Sequence, residues 1–109
     1  MAKTSALQRS LKVMRAAGFT CGITEKWNPH ARVRQDLFGF IDAVCIHSWQ
    51  PIVGLQVVNT HLPEHIAKIN TNPAAVVWKA AGGQIIVHSW MKRGPRGKPK
   101  TWQLSVTKL

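Results

Sequence analysis

Oxygen-bearing side chains are concentrated in one part of this chain. Only four residues are acidic, and three of them, Glu25, Asp36 and Asp42, lie between positions 25 and 42. Gln56 follows on the next apolar segment, so neighbouring strands would place it beside Asp42. Carboxylate and amide oxygens are the ligands that hard divalent cations prefer. We therefore expect Mg²⁺ or Mn²⁺ to bind at Asp42 and Gln56, within reach of Glu25.

Asp42 lies in the apolar segment FGFIDAVCI. An ionised carboxylate taken out of water without a partner costs on the order of tens of kcal/mol in the idealised limit, so this side chain must be neutralised or engaged. A metal ion is one partner, and backbone amides or an ion pair with Arg34 are the alternatives. A different metal hypothesis, zinc at His61 and His65, lacks an evident third ligand.

The chain is strongly basic, with 15 Lys and Arg residues and a net charge of +11. Such a surface attracts polyanions, so nucleic acid is the first partner to consider, ahead of an acidic protein or an anionic membrane surface. Arg32 and Arg34 lie between the acidic residues and are expected to contact DNA phosphates, unless they form salt bridges to Asp36 or Asp42. The segment KRGPRGKPK adds five further candidate DNA contacts, unless it is only a solubilising hairpin tip: Lys92, Arg93, Arg96, Lys98 and Lys100.

Apolar spacing and turn residues predict the element order αβββααββ. The predicted helices cover residues 4–17, 63–70 and 73–81, and the predicted strands cover residues 19–27, 38–48, 52–59, 84–91 and 101–109. Residues 28–39, which overlap the start of the second predicted strand, are expected to form a loop or mobile arm. The last strand should turn Trp102, Leu104 and Val106 inward. Because helices precede and cross over the strands, we expect an α/β fold with a mixed sheet flanked by helices.

The length and the apolar pattern predict one domain, residues 1–109. No apolar run approaches the roughly 18 residues of a membrane-spanning helix, and the first residues lack the apolar core of a signal peptide. A soluble, cytoplasmic protein is the expectation. Cys21 and Cys45 have apolar neighbours and are expected to be free thiols, although a disulfide between them is possible.

Three stretches, TEKWNPHARVRQDLFGFIDAV, GLQVVN and AKI, occur in an αβββαβ order. In these features the chain resembles the PD-(D/E)xK nuclease superfamily, and within it small phage-encoded proteins related to Holliday junction resolvases and virus-type replication-repair nucleases. The resemblance implies a restriction-endonuclease-like core with an extra C-terminal strand. It also implies a magnesium-dependent endonuclease that acts on structured or double-stranded DNA as a homodimer, in the host cytoplasm if the chain is phage-encoded.

The resemblance also assigns roles to residues. It implies that Asp42 and Gln56 bind the metal, with the Val57 carbonyl as a further ligand and Glu25 assisting. The family's catalytic lysine follows two residues after Gln56, where this chain has Val58. Lys68, on the following helix, is the candidate replacement. A catalytically inactive nuclease-fold protein that binds DNA or protein is the alternative, and a basic adaptor that binds a protein is a third hypothesis.

Overall fold

A five-stranded mixed sheet is the centre of the computed structural model, which describes residues 5–109. The elements are α1 (Ala6–Ala16), β1 (Thr20–Ile23), β2 (Lys26–Asn28), β3 (Val33–Gln35), β4 (Ala43–Ile46), β5 (Val53–Val58), α2 (Leu62–Asn70), α3 (Pro73–Ala80), β6 (Gln84–Arg93) and β7 (Thr101–Lys108). The strand order is β1-β4-β5-β6-β7, and β2 and β3 form a separate hairpin. The predicted mixed sheet with flanking helices is confirmed.

The helix α1 covers one face of the sheet. Ser5 caps it, because its hydroxyl accepts a hydrogen bond from the Gln8 N–H at 3.1 Å. Leu11 and Met14 are buried against apolar side chains of β4 and β5. The predicted start at residue 4 lies outside the described residues. The longest helix described has 11 residues, and within residues 5–109 no helix is long and apolar enough to cross a membrane.

A buried polar contact fixes α1 to β6. The Ser10 hydroxyl accepts a hydrogen bond from the Trp90 indole N–H at 2.7 Å and lies 2.9 Å from His88 Nδ1. Because the indole can only donate, the hydroxyl proton is free to point at His88. Burial lowers the pKa of His88 from 6.5 to about 4. The imidazole is therefore neutral at physiological pH.

The helices α2 and α3 cover the opposite face and connect β5 to β6. Asn72 caps α3 by accepting a hydrogen bond from the Ala74 N–H at 2.9 Å, and Pro73 occupies the first turn. Ile69 and Ala75 pack against the apolar residues of β5 and β6. This crossover makes β5 and β6 parallel, whereas the other neighbours in the sheet are antiparallel.

Two strand boundaries were predicted wrongly. The predicted strand 19–27 ends at Ile23, and its last two residues begin the β2–β3 hairpin, which continues into the predicted loop and in which Trp27 is opposite Arg34. The predicted strand 38–48 begins only at Ala43. Phe38 and Gly39 have φ values of 57° and 84°, which a strand does not allow. Asp42 therefore precedes β4 and does not lie in its middle.

The last strand turns Leu104 and Val106 towards the face of the sheet that α1 covers, as predicted, since they are level with Trp90 and His88, but the strand does not bury the predicted residues. Trp102 is 44% exposed and Val106 is 50% exposed. The reason is that β7 is an edge strand, with only β6 beside it. One ring face of Trp102 is instead covered by α1, because the Arg9 guanidinium lies 4.0 Å from the ring centroid.

The two cysteines lie directly opposite one another in the β1–β4 pair, and both are free thiols. Burial, together with the neighbouring Cys21, raises the pKa of the Cys45 thiol to about 12. Cys45 is therefore a protonated, apolar core residue at neutral pH.

Candidate metal centre

Three carboxylates meet at one edge of the sheet. Glu25 follows β1, Asp36 follows β3 and Asp42 precedes β4. One oxygen from each lies within 4.8 Å of the others. We call these three residues the acidic cluster. Among residues 5–109 it is the one group of three or more His, Cys, Asp or Glu side chains close enough to hold a metal ion, so the zinc hypothesis finds no third ligand there.

Backbone hydrogen bonds from two strands hold Asp42 in place. Its carbonyl accepts from the N–H groups of Thr24 and Glu25 at 2.9 and 3.2 Å, which joins it to the end of β1. Its own N–H donates to the Leu55 carbonyl in β5 at 2.8 Å. Its side-chain Oδ2 accepts from the Val57 N–H at 2.7 Å. The carboxylate is thus held by the main chain and not by Arg34.

Asp42 is 6% exposed. Burial is the main reason why the pKa of Asp42 rises from 3.8 to about 8, and its hydrogen bond with Asp36 and the charges of Asp36 and Glu25 raise it further. The Val57 N–H acts in the opposite direction. At neutral pH Asp42 therefore keeps a proton that it shares with Asp36. A divalent cation at this position would displace that proton, because metal ligands must be deprotonated.

The other predicted ligands lie beside the acidic cluster. Gln56 is buried in β5, and its Nε2 donates to Asp36 Oδ2 at 3.3 Å. A half-turn of this amide would present the oxygen instead. The N–H and the carbonyl of one strand residue point to the same side, so the Val57 carbonyl faces the Asp42 side of β5. The sequence prediction did not assign Asp36 as a ligand, although its closeness to the other two acids along the chain was a usable signal.

Arg34 forms its ion pair with a different acid from the two considered in the sequence prediction. Its Nη1 lies 2.8 Å from Glu25 Oε1, with the Arg34 side chain 71% exposed and that of Glu25 17% exposed. The pair offsets part of the negative charge of the acidic cluster. Arg32 is exposed between β2 and β3 and has a φ of 53°. It stands at the tip of the hairpin, where a polyanion can reach it.

A cleft of about 280 Å³ opens between the acidic cluster and α2. Its lining includes Asp36, Gln56, His65 and Lys68. Lys68 therefore shares a cavity with two of the candidate site residues, as its predicted role requires. Val58, in contrast, is 4% exposed and packs in the apolar cluster beneath α2 and α3. A positively charged side chain can therefore reach the cleft from α2, but position 58 of β5 provides none.

Two basic hairpins project from the same sheet edge. The β2–β3 hairpin leaves it between β1 and β4. The other is the β6–β7 hairpin. Val87 of β6 lies beside Gln56 of β5, and β6 continues from Val87 to Arg93, which is about 20 Å further at roughly 3.3 Å per residue. We call residues 92–100 the basic tip. Its five predicted DNA contacts are all exposed: Lys92, Arg93, Arg96, Lys98 and Lys100.

Comparison with protein-family models, with curated proteins and with solved structures found no match for this chain. Its function is therefore inferred from the acidic cluster, the cleft beside it and the basic hairpins around it.

Proposed function

We propose that this protein binds DNA and hydrolyses its phosphodiester bonds with a divalent cation held by the acidic cluster. One observation carries the proposal: three carboxylates converge within 4.8 Å in a chain with a net charge of +11. Converging acids repel one another and gain stability from a cation, whereas the surrounding bases attract a polyanion. Metal-dependent hydrolysis of DNA uses both.

The donor set fits magnesium or manganese. Carboxylate oxygens of Glu25, Asp36 and Asp42, with the Val57 carbonyl and the Gln56 amide, are the hard ligands that these ions take. Such an ion supplies an activated water and polarises the phosphate. The chain's own part begins with Asp42, which must give up its proton before the site can bind a cation.

Lys68 supplies positive charge from the opposite wall of the cleft. Its ammonium is flexible and carries three donors, so it can orient a water or offset charge on a phosphate oxygen. Arg32 and the basic tip would hold the DNA backbone on either side of the cleft. These contacts go to phosphates, so they position DNA without reading its sequence.

The connectivity supports membership of the PD-(D/E)xK nuclease superfamily as part of this proposal. Three antiparallel strands, β1, β4 and β5, are followed by a helical crossover to the parallel strand β6. The β2–β3 hairpin would be an insertion in that core and β7 an addition to it. A homodimer, which two symmetric cuts would require, could pair through the open edge of β7.

A second candidate is a DNA-binding protein that does not cut. The observation that favours it is Val58, whose burial among apolar side chains leaves no cation two residues after Gln56. This candidate keeps the basic surface and predicts the same salt-dependent binding. It differs in its lack of metal-dependent cleavage.

Cleavage of labelled duplex and branched DNA distinguishes the two candidates. We expect wild type to cut with Mg²⁺ or Mn²⁺ and to stop when the metal is chelated, and we expect Asp42→Asn to bind DNA without cutting. Glu64→Gln is the matched control, since Glu64 is the fourth acid and lies in the first turn of α2. Salt-dependent binding without cleavage by wild type would establish the second candidate. Weak, salt-insensitive binding would favour a protein-binding adaptor.

A further inference from the structure

Phe38 has an unusual backbone conformation next to the acidic cluster. Its φ is 57°, a region that bulky side chains rarely adopt, and it is 56% exposed. The turn is fixed on both sides: the Gly39 N–H donates to the Asp36 carbonyl at 3.0 Å, and Asn72 Nδ2 donates to the Phe38 carbonyl at 2.9 Å. Strain of this kind is concentrated at ligand clamps and active sites. An exposed aromatic residue is held rigidly two positions after Asp36.

Phe38 lines a surface cavity of about 390 Å³ that also reaches the acidic cluster. Its lining residues are Thr24, Lys26, Gln35, Asp36, Leu37 and Phe38. They combine an apolar surface, hydrogen-bonding groups and one cation, and the volume lies at the lower end of the range for small-ligand sites. A nucleotide needs the same three elements: a surface for the base, partners for its edge and a cation for its phosphate.

We propose that this cavity receives one unstacked nucleobase of the bound DNA, with Phe38 stacking on it, next to the phosphate at the acidic cluster. The proposal rests on the proposed function, because it needs DNA at that cluster. Gln35 would pair with the edge of the base, and Lys26 would contact its phosphate. The Thr24 hydroxyl donates to the Ile41 carbonyl at 3.0 Å, so it would accept from the base. Any base has a face that can stack, so the contact favours unpaired bases and does not select a particular sequence.

A purely structural role for Phe38 makes a different prediction. Phe38 also lines an apolar groove with Ala74, Val77, Trp78 and Ala81 on α3. If Phe38 only covered this groove, removing its ring would lower stability and leave DNA selectivity unchanged. The preference for unpaired bases separates the two roles, since extruding a base is easiest where it is already unpaired.

The test measures affinity for a perfectly paired duplex and for the same duplex with one central mismatch, in Ca²⁺ to prevent cleavage. The variants are Phe38→Asn, which tolerates the positive φ and removes the ring, and Phe38→Tyr, which keeps the ring. Gln35→Ala removes a second group of the cavity without altering the turn. Trp49→Ala is the matched control, since Trp49 is 89% exposed in the β4–β5 turn at the opposite edge of the sheet.

We expect wild type, Phe38→Tyr and Trp49→Ala to bind the mismatched duplex about 10-fold more tightly, within the range for one base stacked on an aromatic ring. Phe38→Asn should lose this preference and keep its affinity for the paired duplex, and Gln35→Ala should reduce the preference. If Phe38→Asn or Gln35→Ala prefers the mismatched duplex as strongly as wild type does, the inference is wrong. It is also wrong if wild type binds DNA but shows no preference for the mismatched duplex. Absence of salt-dependent DNA binding by wild type overturns the proposed function itself.

Discussion

Replacing Asp42 with Asn should stabilise the protein at neutral pH. The amide keeps an oxygen to accept the Val57 N–H, now bonded to Asp42 Oδ2 at 2.7 Å. It also presents an N–H donor towards Asp36, in place of the shared proton. The substitution removes the one carboxyl of the acidic cluster whose ionised form is both buried and surrounded by negative charge. The folded state then no longer has to keep a proton that the unfolded chain releases.

The size of the effect follows from the shift in pKa. The pKa of Asp42 rises from 3.8 to about 8 on folding, so between these values the folded state holds a proton that the unfolded state has lost. Stability from this group is complete below pH 3.8 and falls as pH rises towards 8. Each pH unit costs about 1.4 kcal/mol. Between pH 4 and pH 7 wild type should lose up to about 4 kcal/mol that Asp42→Asn keeps.

Urea unfolding followed by tryptophan fluorescence, at intervals from pH 4 to pH 8, measures this difference. We expect Asp42→Asn to match wild type near pH 4 and to be more stable by a few kcal/mol at pH 7, while Glu64→Gln follows wild type throughout. Adding Mg²⁺ should stabilise wild type increasingly as pH rises and leave Asp42→Asn unchanged. If Asp42→Asn is less stable than wild type by the same amount at every pH, Asp42 is a structural acid and the prediction is wrong.

Three further predictions concern other parts of the molecule. Lys68→Met should slow DNA cleavage by about 100-fold or more without weakening metal binding, and Lys79→Met on α3 should leave the rate unchanged; equal effects would remove Lys68 from the mechanism. Relative to a His88→Gln variant, wild type should lose about 3 kcal/mol in urea unfolding as pH falls from 6.5 to 4, because its folded pKa of about 4 lies below the unfolded 6.5. If the difference in the free energy of unfolding between wild type and His88→Gln does not change with pH, this prediction is wrong. Arg96→Ala with Lys98→Ala should reduce the slope of log affinity against log salt by up to about 1.8, or roughly 0.9 for each phosphate that the variant no longer neutralises; an unchanged slope would show that the basic tip does not bind DNA.

The parts of the fold that follow local rules could be predicted from the sequence. Asn72 and Pro73 marked the start of α3, and the apolar spacing of α1 located its buried face. The β2–β3 hairpin was missed because its strands have only three residues each and are exposed, so no apolar alternation marks them. The exposure of Trp102 was missed because alternation predicts a face of the sheet, whereas edge position decides how much of that face is covered.

The site was predictable in its components more than in its geometry. The closeness of the acids along the chain located the acidic cluster, and the apolar context of Asp42 indicated that its carboxylate must be neutralised or engaged, which agrees with its raised pKa. The partner of Arg34 depended on the unpredicted β2–β3 hairpin, which brings it to Glu25. The turn at Phe38 could not be predicted, because only tertiary contacts hold a bulky residue at positive φ.

A crystal structure with Mn²⁺, using its anomalous signal, would show directly whether the acidic cluster binds a metal ion. We expect one strong peak among the carboxylates of Glu25, Asp36 and Asp42, close enough for direct coordination by their oxygens, with the Gln56 amide turned to present its oxygen. The peak should be absent from Asp42→Asn crystals grown under the same conditions. A wild-type crystal with no peak in the acidic cluster, or with its only peak at His61 and His65, would show that the acidic cluster is not a metal site.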